Sequence, residues 1–145
     1  MSGSGPMIAG PILALRNAIL SALAGDSALA GLFGGEVRLS DEPPRGSPPV
    51  YAVFGRVIAR EASGTEVRGH EQRAEIAVHA KPGSAATALA IVDRMAALLD
   101  DSAPAVPGHR LVSLSVAETG CVRDASSGAA RAWLVLRAVT EIIET

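Results

Sequence analysis

The sequence is short of several residue types on which common protein activities depend. Only one of its 145 residues is a cysteine, Cys121, which excludes an internal disulfide and a cysteine-based metal cluster. Aromatic residues make up 3% of the chain against 48% for all hydrophobic residues, so the core must consist of Ala, Val, Leu and Ile. These side chains bury less area than aromatic rings do, which leaves room for a partner to supply part of the buried surface.

Charge of one sign and long apolar runs are lacking as well. The formal net charge of −2 gives no general attraction to nucleic acid or to an anionic membrane. No run reaches the length that spans a bilayer, and no basic region precedes the first apolar stretch. The length favours a single domain. We therefore expect a soluble protein with no membrane partner, in which residues 1–10 are a flexible leader and residues 11–145 form one domain.

The clearest periodic stretch of the chain is residues 71–100. Residues 72–80 alternate between apolar and polar positions, which is typical of a half-buried strand. Lys81-Pro82-Gly83 ends this strand, and Ser84 is placed to cap a following helix that runs to Asp100. The apolar stripe of that helix, which should lie on the sheet, consists of Leu89, Val92, Ala96 and Leu99, with Met95 beside it.

The remaining elements complete an α+β pattern. A first helix follows Pro11 with an apolar stripe of Ile12, Leu15, Ile19 and Leu23, and Asp26 or Ser27 caps a shorter turn after Gly25. Residues 42–49 contain four prolines and read as an extended arm. Strands are predicted at 50–60, 109–116 and 130–143. The fold class is an antiparallel or mixed β-sheet of about four to five strands, with two main α-helices packed on one face.

No arrangement of residues points to catalysis, a cofactor or a metal. His79 shares a strand face with Arg73 and Glu75, but no second ligand recurs at metal-binding spacing, and a histidine beside solvated charges is the favoured reading. Phosphate-binding loops, nucleophile elbows and zinc-protease motifs are absent from the sequence. The sequence thus assigns no catalytic, cofactor-binding or metal-binding residue, and the protein is not expected to be an enzyme.

Two stretches are candidates for contact with another subunit. The odd positions of the last strand are more hydrophobic than a solvated face requires, because Trp133 and Val135 lie between Arg131 and Arg137. Arg131 and Arg137 could bind a phosphate or pair with acidic residues of a neighbouring subunit. Glu141 lies on the same face, which favours ion pairs. Residues 61–70 exceed the length that a hairpin connection needs. They are either an arm that contacts another subunit during assembly or a surface loop without a role. The candidate interface residues in this stretch are Glu61, Glu66, Val67 and Arg68.

The order of these signals resembles the phage tail completion or tail terminator family, including its relatives in gene transfer agents. The resemblance spans about residues 11–143. The stretches that carry it are Asp26-Ser-Ala-Leu29, Val37, Pro49-Val-Tyr51, Gly55, Gly69-His70-Glu71, Gly108-His-Arg-Leu-Val112 and Arg131 to Arg137-Ala-Val-Thr-Glu141. Where relatives often carry an aromatic residue near the end of the central strand, this chain has His79-Ala80.

The resemblance implies a structural protein of the virion or of a phage-like particle, assembled in the bacterial cytoplasm. Such subunits form a ring, usually a hexamer, that caps the head-proximal end of the tail tube and joins the head connector. The implied partners are further copies of the chain, the major tail tube protein and the head-tail connector or stopper protein, with DNA only passing through the channel. The alternatives left open are a small enzyme with a dispersed site and a module that binds a ligand or nucleic acid.

Overall fold

A computed structural model describes residues 10–46, 48–62 and 68–143 as a mixed five-stranded sheet with three helices. This architecture confirms the α+β expectation. In chain order the elements are α1 (Pro11–Ala24), α2 (Ser27–Phe33), β1 (Leu39–Ser40), β2 (Val50–Glu61), β3 (Gly69–Ala80), α3 (Ala85–Leu99), β4 (His109–Arg123) and β5 (Ala130–Ile142).

The strands lie in the order β1-β2-β3-β5-β4, so β5 is inserted between two strands that precede it in the chain. The short β1 is parallel to β2, and all other neighbours are antiparallel. We call the end where β2 begins and β3 ends the proline end, because the proline arm meets the sheet there. The opposite end, where Glu61 pairs with His70, is the loop end.

All three helices pack on one face of the sheet and enclose an aliphatic core. Alternate residues of β3 and β5 point into this core, as their period of two predicts. The core joins residues of every helix to the central strands; its largest members include Leu15, Ile19, Leu23, Leu29, Ile76, Ile91, Met95, Leu134 and Leu136. Phe33 is the one aromatic side chain buried there, so the small share of aromatic residues is reflected in the packing.

Local sequence signals set the helix boundaries in two of three cases. Pro11 opens α1, and α1 ends at Gly25. The Asp26 carboxylate caps α2 by accepting a 2.8 Å hydrogen bond from the Leu29 N–H, and α2 ends at Gly34, whose φ of 98° suits glycine. The expected cap of α3 is wrong, because Ser84 occupies the N-cap position without a side-chain hydrogen bond. Its ψ of 15° departs from the extended conformation that a capping residue adopts.

Two of the predicted apolar stripes are partly wrong. Ile12 is 43% exposed and Leu89 is 43% exposed, although the other members of both stripes lie on or near the buried side. In α3 the buried residues are Ala88, Ile91, Val92, Met95 and Leu99. The helical face that meets the sheet is therefore rotated away from Leu89.

Boundaries of three strands also differ from the prediction. β4 runs from His109 to Arg123, well beyond the predicted end at residue 116. Register shifts after Leu111 and Val116 interrupt its alternation, so Val112 is 50% exposed although it was grouped with the buried Leu114. β2 and β3 are longer as well: Glu61 and His70 pair inside the sheet, so these residues belong to strands rather than to the connecting loop.

Within the described residues, no single helix has the length and apolar character needed to cross a bilayer. The pair α1 and α2 would have both, but these helices meet at a bend of 90°.

Candidate assembly surface

The face of the sheet that none of the described helices covers, which we call the open face, has a mixed aromatic, aliphatic and charged surface. The register places alternate residues of β2, β3, β5 and β4 there in rows across the sheet. From the proline end these rows are Tyr51, His79, Arg131 and Val122; then Val53, Ala77, Trp133 and Gly120; then Gly55, Glu75, Val135 and Glu118; then Ile58, Arg73, Arg137 and Ser115; and then Arg60, Glu71, Val139 and Ser113.

Trp133 is held in place from three sides. Its ring lies over Gly120, where an added Cβ would stand 2.3 Å from the Trp133 Cζ2 atom, so the glycine makes room for the ring. The Trp133 Nε1–H donates a 2.9 Å hydrogen bond to Glu118. The Arg131 guanidinium lies over the Trp133 ring, 5.3 Å from its centroid. The only tryptophan of the chain is thus fixed on the open face rather than in the core.

Arg131 and Arg137 form ion pairs across the two central strands. Arg131 Nη2 lies 2.5 Å from Glu75 Oε1, and Arg137 Nη2 lies 3.1 Å from Glu71 Oε2. The ion-pair reading of these arginines agrees with the structure, but their partners come from β3 of the same chain rather than from a neighbouring subunit. Glu141, which suggested the pairing, is bound instead by Arg110 at 2.9 Å.

These contacts shift the ionisation of two groups on the open face. The hydrogen bond from Arg137 lowers the pKa of Glu71, and the charges of Arg137, Arg73 and Arg60 act in the same direction. Burial lowers the pKa of His79, and the nearby Arg131 charge adds to this effect. His79 also stacks on Tyr51, with ring centroids 5.2 Å apart. At neutral pH the histidine ring is therefore neutral and serves as part of an aromatic surface.

The open face remains only partly covered by its own side chains. Trp133, Val135 and Val139 are half-buried, whereas their neighbours Leu134 and Leu136 on the helix side are fully buried. Val122 at the edge is 59% exposed. An apolar strip flanked by ion pairs in this way is a surface that a protein partner could cover.

The predicted contact residues fall into two separate groups. Arg131, Trp133, Val135 and Arg137 lie on β5 in the open face. Glu61 and Arg68 lie at the loop end, where the Arg68 carbonyl accepts a 3.0 Å hydrogen bond from the Ile142 N–H. Glu66 and Val67 lie outside the described residues. The candidate residues missed from the sequence are the cross-strand partners Tyr51, Arg60, Glu71, Arg73 and Glu75, which only the strand register could identify.

Other features of the described part of the chain offer no clear chemistry. In it, no group of three His, Cys, Asp or Glu side chains is placed to hold a metal ion. A groove of about 390 Å³ lies at the proline end, between the proline arm and the Tyr51–His79 pair. Five prolines of the proline arm and of the turn after β3 form part of its lining.

The fold is shared with a component of a phage-like particle. A chain of the solved structure "Virion of native gene transfer agent (GTA) particle" is similar to this protein, with a TM-score of 0.80 and 27% sequence identity. The similarity covers 90% of this chain and 96% of that chain. No curated protein sequence matches the chain.

Residues 17–141 match the family described as "Tail completion protein gp17". The match covers most of the chain, so the protein belongs to this tail completion family. It is a structural protein of the tail of a phage or phage-like particle, and it takes part in the assembly of that particle with other virion proteins. The family resemblance seen in the sequence is confirmed.

Proposed function

We propose that the protein is a tail terminator that assembles as a hexameric ring, caps the head-proximal end of the tail tube and joins it to the head connector. The observation that carries this proposal is the open face. Trp133 and Val135 form a half-buried apolar strip that none of the described helices covers. A neighbouring copy or a tail protein would complete its burial.

The proposed role is structural rather than enzymatic, and DNA only passes through the ring. Two arginines at the centre of the open face support free passage, because Arg131 and Arg137 are each paired with a glutamate of the same chain. Glu71, Glu75 and Glu141 bind arginines, and Glu118 accepts from Trp133. Paired arginines attract DNA phosphates less strongly than free ones do, so the strand can slide.

The connection between β2 and β3 is the second proposed contact. Its base is closed by a 2.9 Å hydrogen bond from the Ala62 N–H to the Gly69 carbonyl. It begins and ends at the loop end, beside Ile142 and Ile143, which are 38% and 43% exposed. An assembly arm at this position would meet a ring neighbour or the tube.

A substitution on the open face tests the proposal. We expect Val135→Glu to leave the subunit folded, because Val135 lies outside the helix-covered core, and to impair assembly by placing a charge in an apolar contact with a neighbouring copy or a tail protein. Particles with this variant should have tails of abnormal length that do not join heads. The matched control is Ala97→Glu, on the exposed side of α3, which should assemble normally.

Electron microscopy of particles and light scattering of the purified protein supply the measurements. A ring seen only on the tube tip still supports the role, since assembly can require the tube. A strictly monomeric subunit in the complete particle, or joined tails of normal length with Val135→Glu, contradicts it.

Shortening the loop tests the second contact separately. Replacement of residues 63–67 by Asn-Gly should leave thermal stability close to that of the wild type and impair ring closure or tube capping. If such particles still join heads to tails of normal length, the loop is only a connection.

A further inference from the structure

We infer that neighbouring copies in the ring meet through two oppositely charged margins of the sheet, one beside β2 and the other beside β4. This inference rests on the proposed ring and names the surfaces that would hold it together.

The basic margin lies on the open face at the loop end of β2 and β3. Ile58 is paired with Arg73 in the register, and Arg60 with Glu71. These four side chains line a small depression of about 110 Å³. Arg137 also binds Glu71, so three guanidinium groups surround a single carboxylate and leave two positive charges in excess.

Arg60 and Arg73 are exposed, and neither guanidinium forms an ion pair or a side-chain hydrogen bond with another described residue. Arg73 also lies directly opposite Arg137 in the register, an arrangement of like charges that is unfavourable in an isolated sheet. A carboxylate from outside the subunit would relieve this repulsion.

The acidic margin lies at the opposite edge of the sheet. The Asp100 carboxylate accepts a 2.8 Å hydrogen bond from the Val116 N–H, and the Asp101 N–H donates a 2.8 Å bond to the Leu114 carbonyl. The connection after α3 therefore covers the middle of the edge strand β4. Asp93 lies two helical turns before Asp100, on the same side of α3 as the exposed Leu89.

The two margins lie at the same level of the sheet. Leu114 and Val116 pair with Ala138 and Leu136 of β5, and the same rows continue through β3 to Ala59 and Val57 of β2. Among the described residues, no strand pairs with the outer edge of β2 at these positions, because β1 pairs with β2 only at Ala52 and Val53.

A second copy is the occupant that these features fit. Opposite charges on opposite edges of one subunit are complementary in a head-to-tail contact, which is the kind of interface that closes into a ring. Asp93 and Asp101 are exposed, so they can approach Arg60 and Arg73 of the next copy. The contact would also neutralise the arginines that otherwise could hold DNA.

Charge reversal provides the test. Arg60→Glu with Arg73→Glu gives a subunit with two acidic margins, and Asp93→Lys with Asp101→Lys gives a subunit with two basic margins. Asp100 is left unchanged because it covers the β4 edge. Each variant alone should form rings or cap tubes roughly tenfold less efficiently than the wild type. Thermal unfolding checks that both remain folded.

An equal mixture of the two variants should assemble again, because each acidic margin then meets a basic one. Native mass spectrometry should find equal numbers of both chains in each ring. A chain that carries all four reversals should assemble by itself. The control Arg45→Glu with Lys81→Glu reverses two exposed charges at the proline end and should assemble like the wild type.

Normal assembly of both variants alone overturns the inference, and so does failure of the mixture when both proteins are folded. Equal loss in the control also overturns it, because assembly then depends on overall charge. A loss of DNA retention without a loss of rings would assign the arginines to DNA. Failure of the wild type to form a ring, alone or on tubes, contradicts the proposed function instead.

Discussion

The two faces of the sheet are built from the same strands but differ in composition and in packing. On the helix side, Ile76, Leu134 and Leu136 are fully buried among aliphatic neighbours. On the open face, the intervening residues of β3 and β5 form ion pairs whose side chains are 26% to 42% exposed. The helix face holds most of the buried aliphatic core, whereas the open face keeps half-buried apolar side chains beside ion pairs.

Two neighbouring residues of β5 provide the sharpest test of this difference. Leu134→Ala should lower the free energy of unfolding by about 2–5 kcal/mol, because it leaves a cavity in the core. Val135→Ala should lower it by less than about 1 kcal/mol, because Val135 is only half-buried. Urea unfolding of both variants measures the difference. Equal losses would mean that the open face belongs to the core of the isolated subunit.

Gly120→Ala should have the next largest effect, at about 1–3 kcal/mol of destabilisation, because the added methyl group collides with the Trp133 ring. Displacement of the single tryptophan should also change the fluorescence of the folded protein. Gly31→Ala in α2 is the control, since nothing lies within 4 Å of its added Cβ. It should stabilise the protein by about 0.5–1 kcal/mol. An unchanged spectrum for Gly120→Ala would show that the ring is not fixed over Gly120.

Asp26 links the helices to one another, and its contribution should depend on pH. The hydrogen bond from Arg94 and the Leu29 N–H lower its pKa from 3.8 to about 2. A lowered folded pKa stabilises the protein above the unfolded value, and the contribution is lost as pH falls from about 4 to 2. Asp26→Asn should therefore unfold at a lower temperature than the wild type at pH 6, by a margin that closes near pH 2. A difference independent of pH would exclude this charge as its origin.

Cys121→Ser should have the smallest effect, within about 0.5 kcal/mol, because the thiol is exposed on β4 and forms no disulfide. The variant also serves as a background for labelling experiments. A change in assembly without a change in stability would place Cys121 in a contact that the isolated subunit lacks.

Periodicity in the sequence was enough to predict the helix face of the sheet. The alternation of residues 72–80 and 130–142 corresponds to β3 and β5, because these strands run without a bulge between the core and the open face. The same alternation did not predict β4 correctly. Two register shifts interrupt this strand, and Val112 does not share the buried side with Leu114. Strand register, rather than composition, decides which residues share a face.

The open face was predicted only in part for the same reason. Arg131, Trp133, Val135 and Arg137 lie on one strand, so their common face follows from alternation alone. Their acidic partners come from another strand 56 and 66 residues away in sequence. Such pairings depend on how far two strands are offset, which local sequence does not encode.

The position of β5 also constrains when the subunit can fold. β5 lies between β3 and β4, although it follows both in the chain. Until β5 is synthesised, β3 has only β2 beside it and β4 has no neighbouring strand. In nascent chains, the edges of β3 and β4 that β5 will cover therefore stay open, and such edges promote aggregation. The completed sheet forms late, through contacts between distant parts of the sequence, which favours slow folding. Subunits that stop short of β5 would lack Trp133 and Val135, and β4 would have no neighbouring strand to hold it in the sheet.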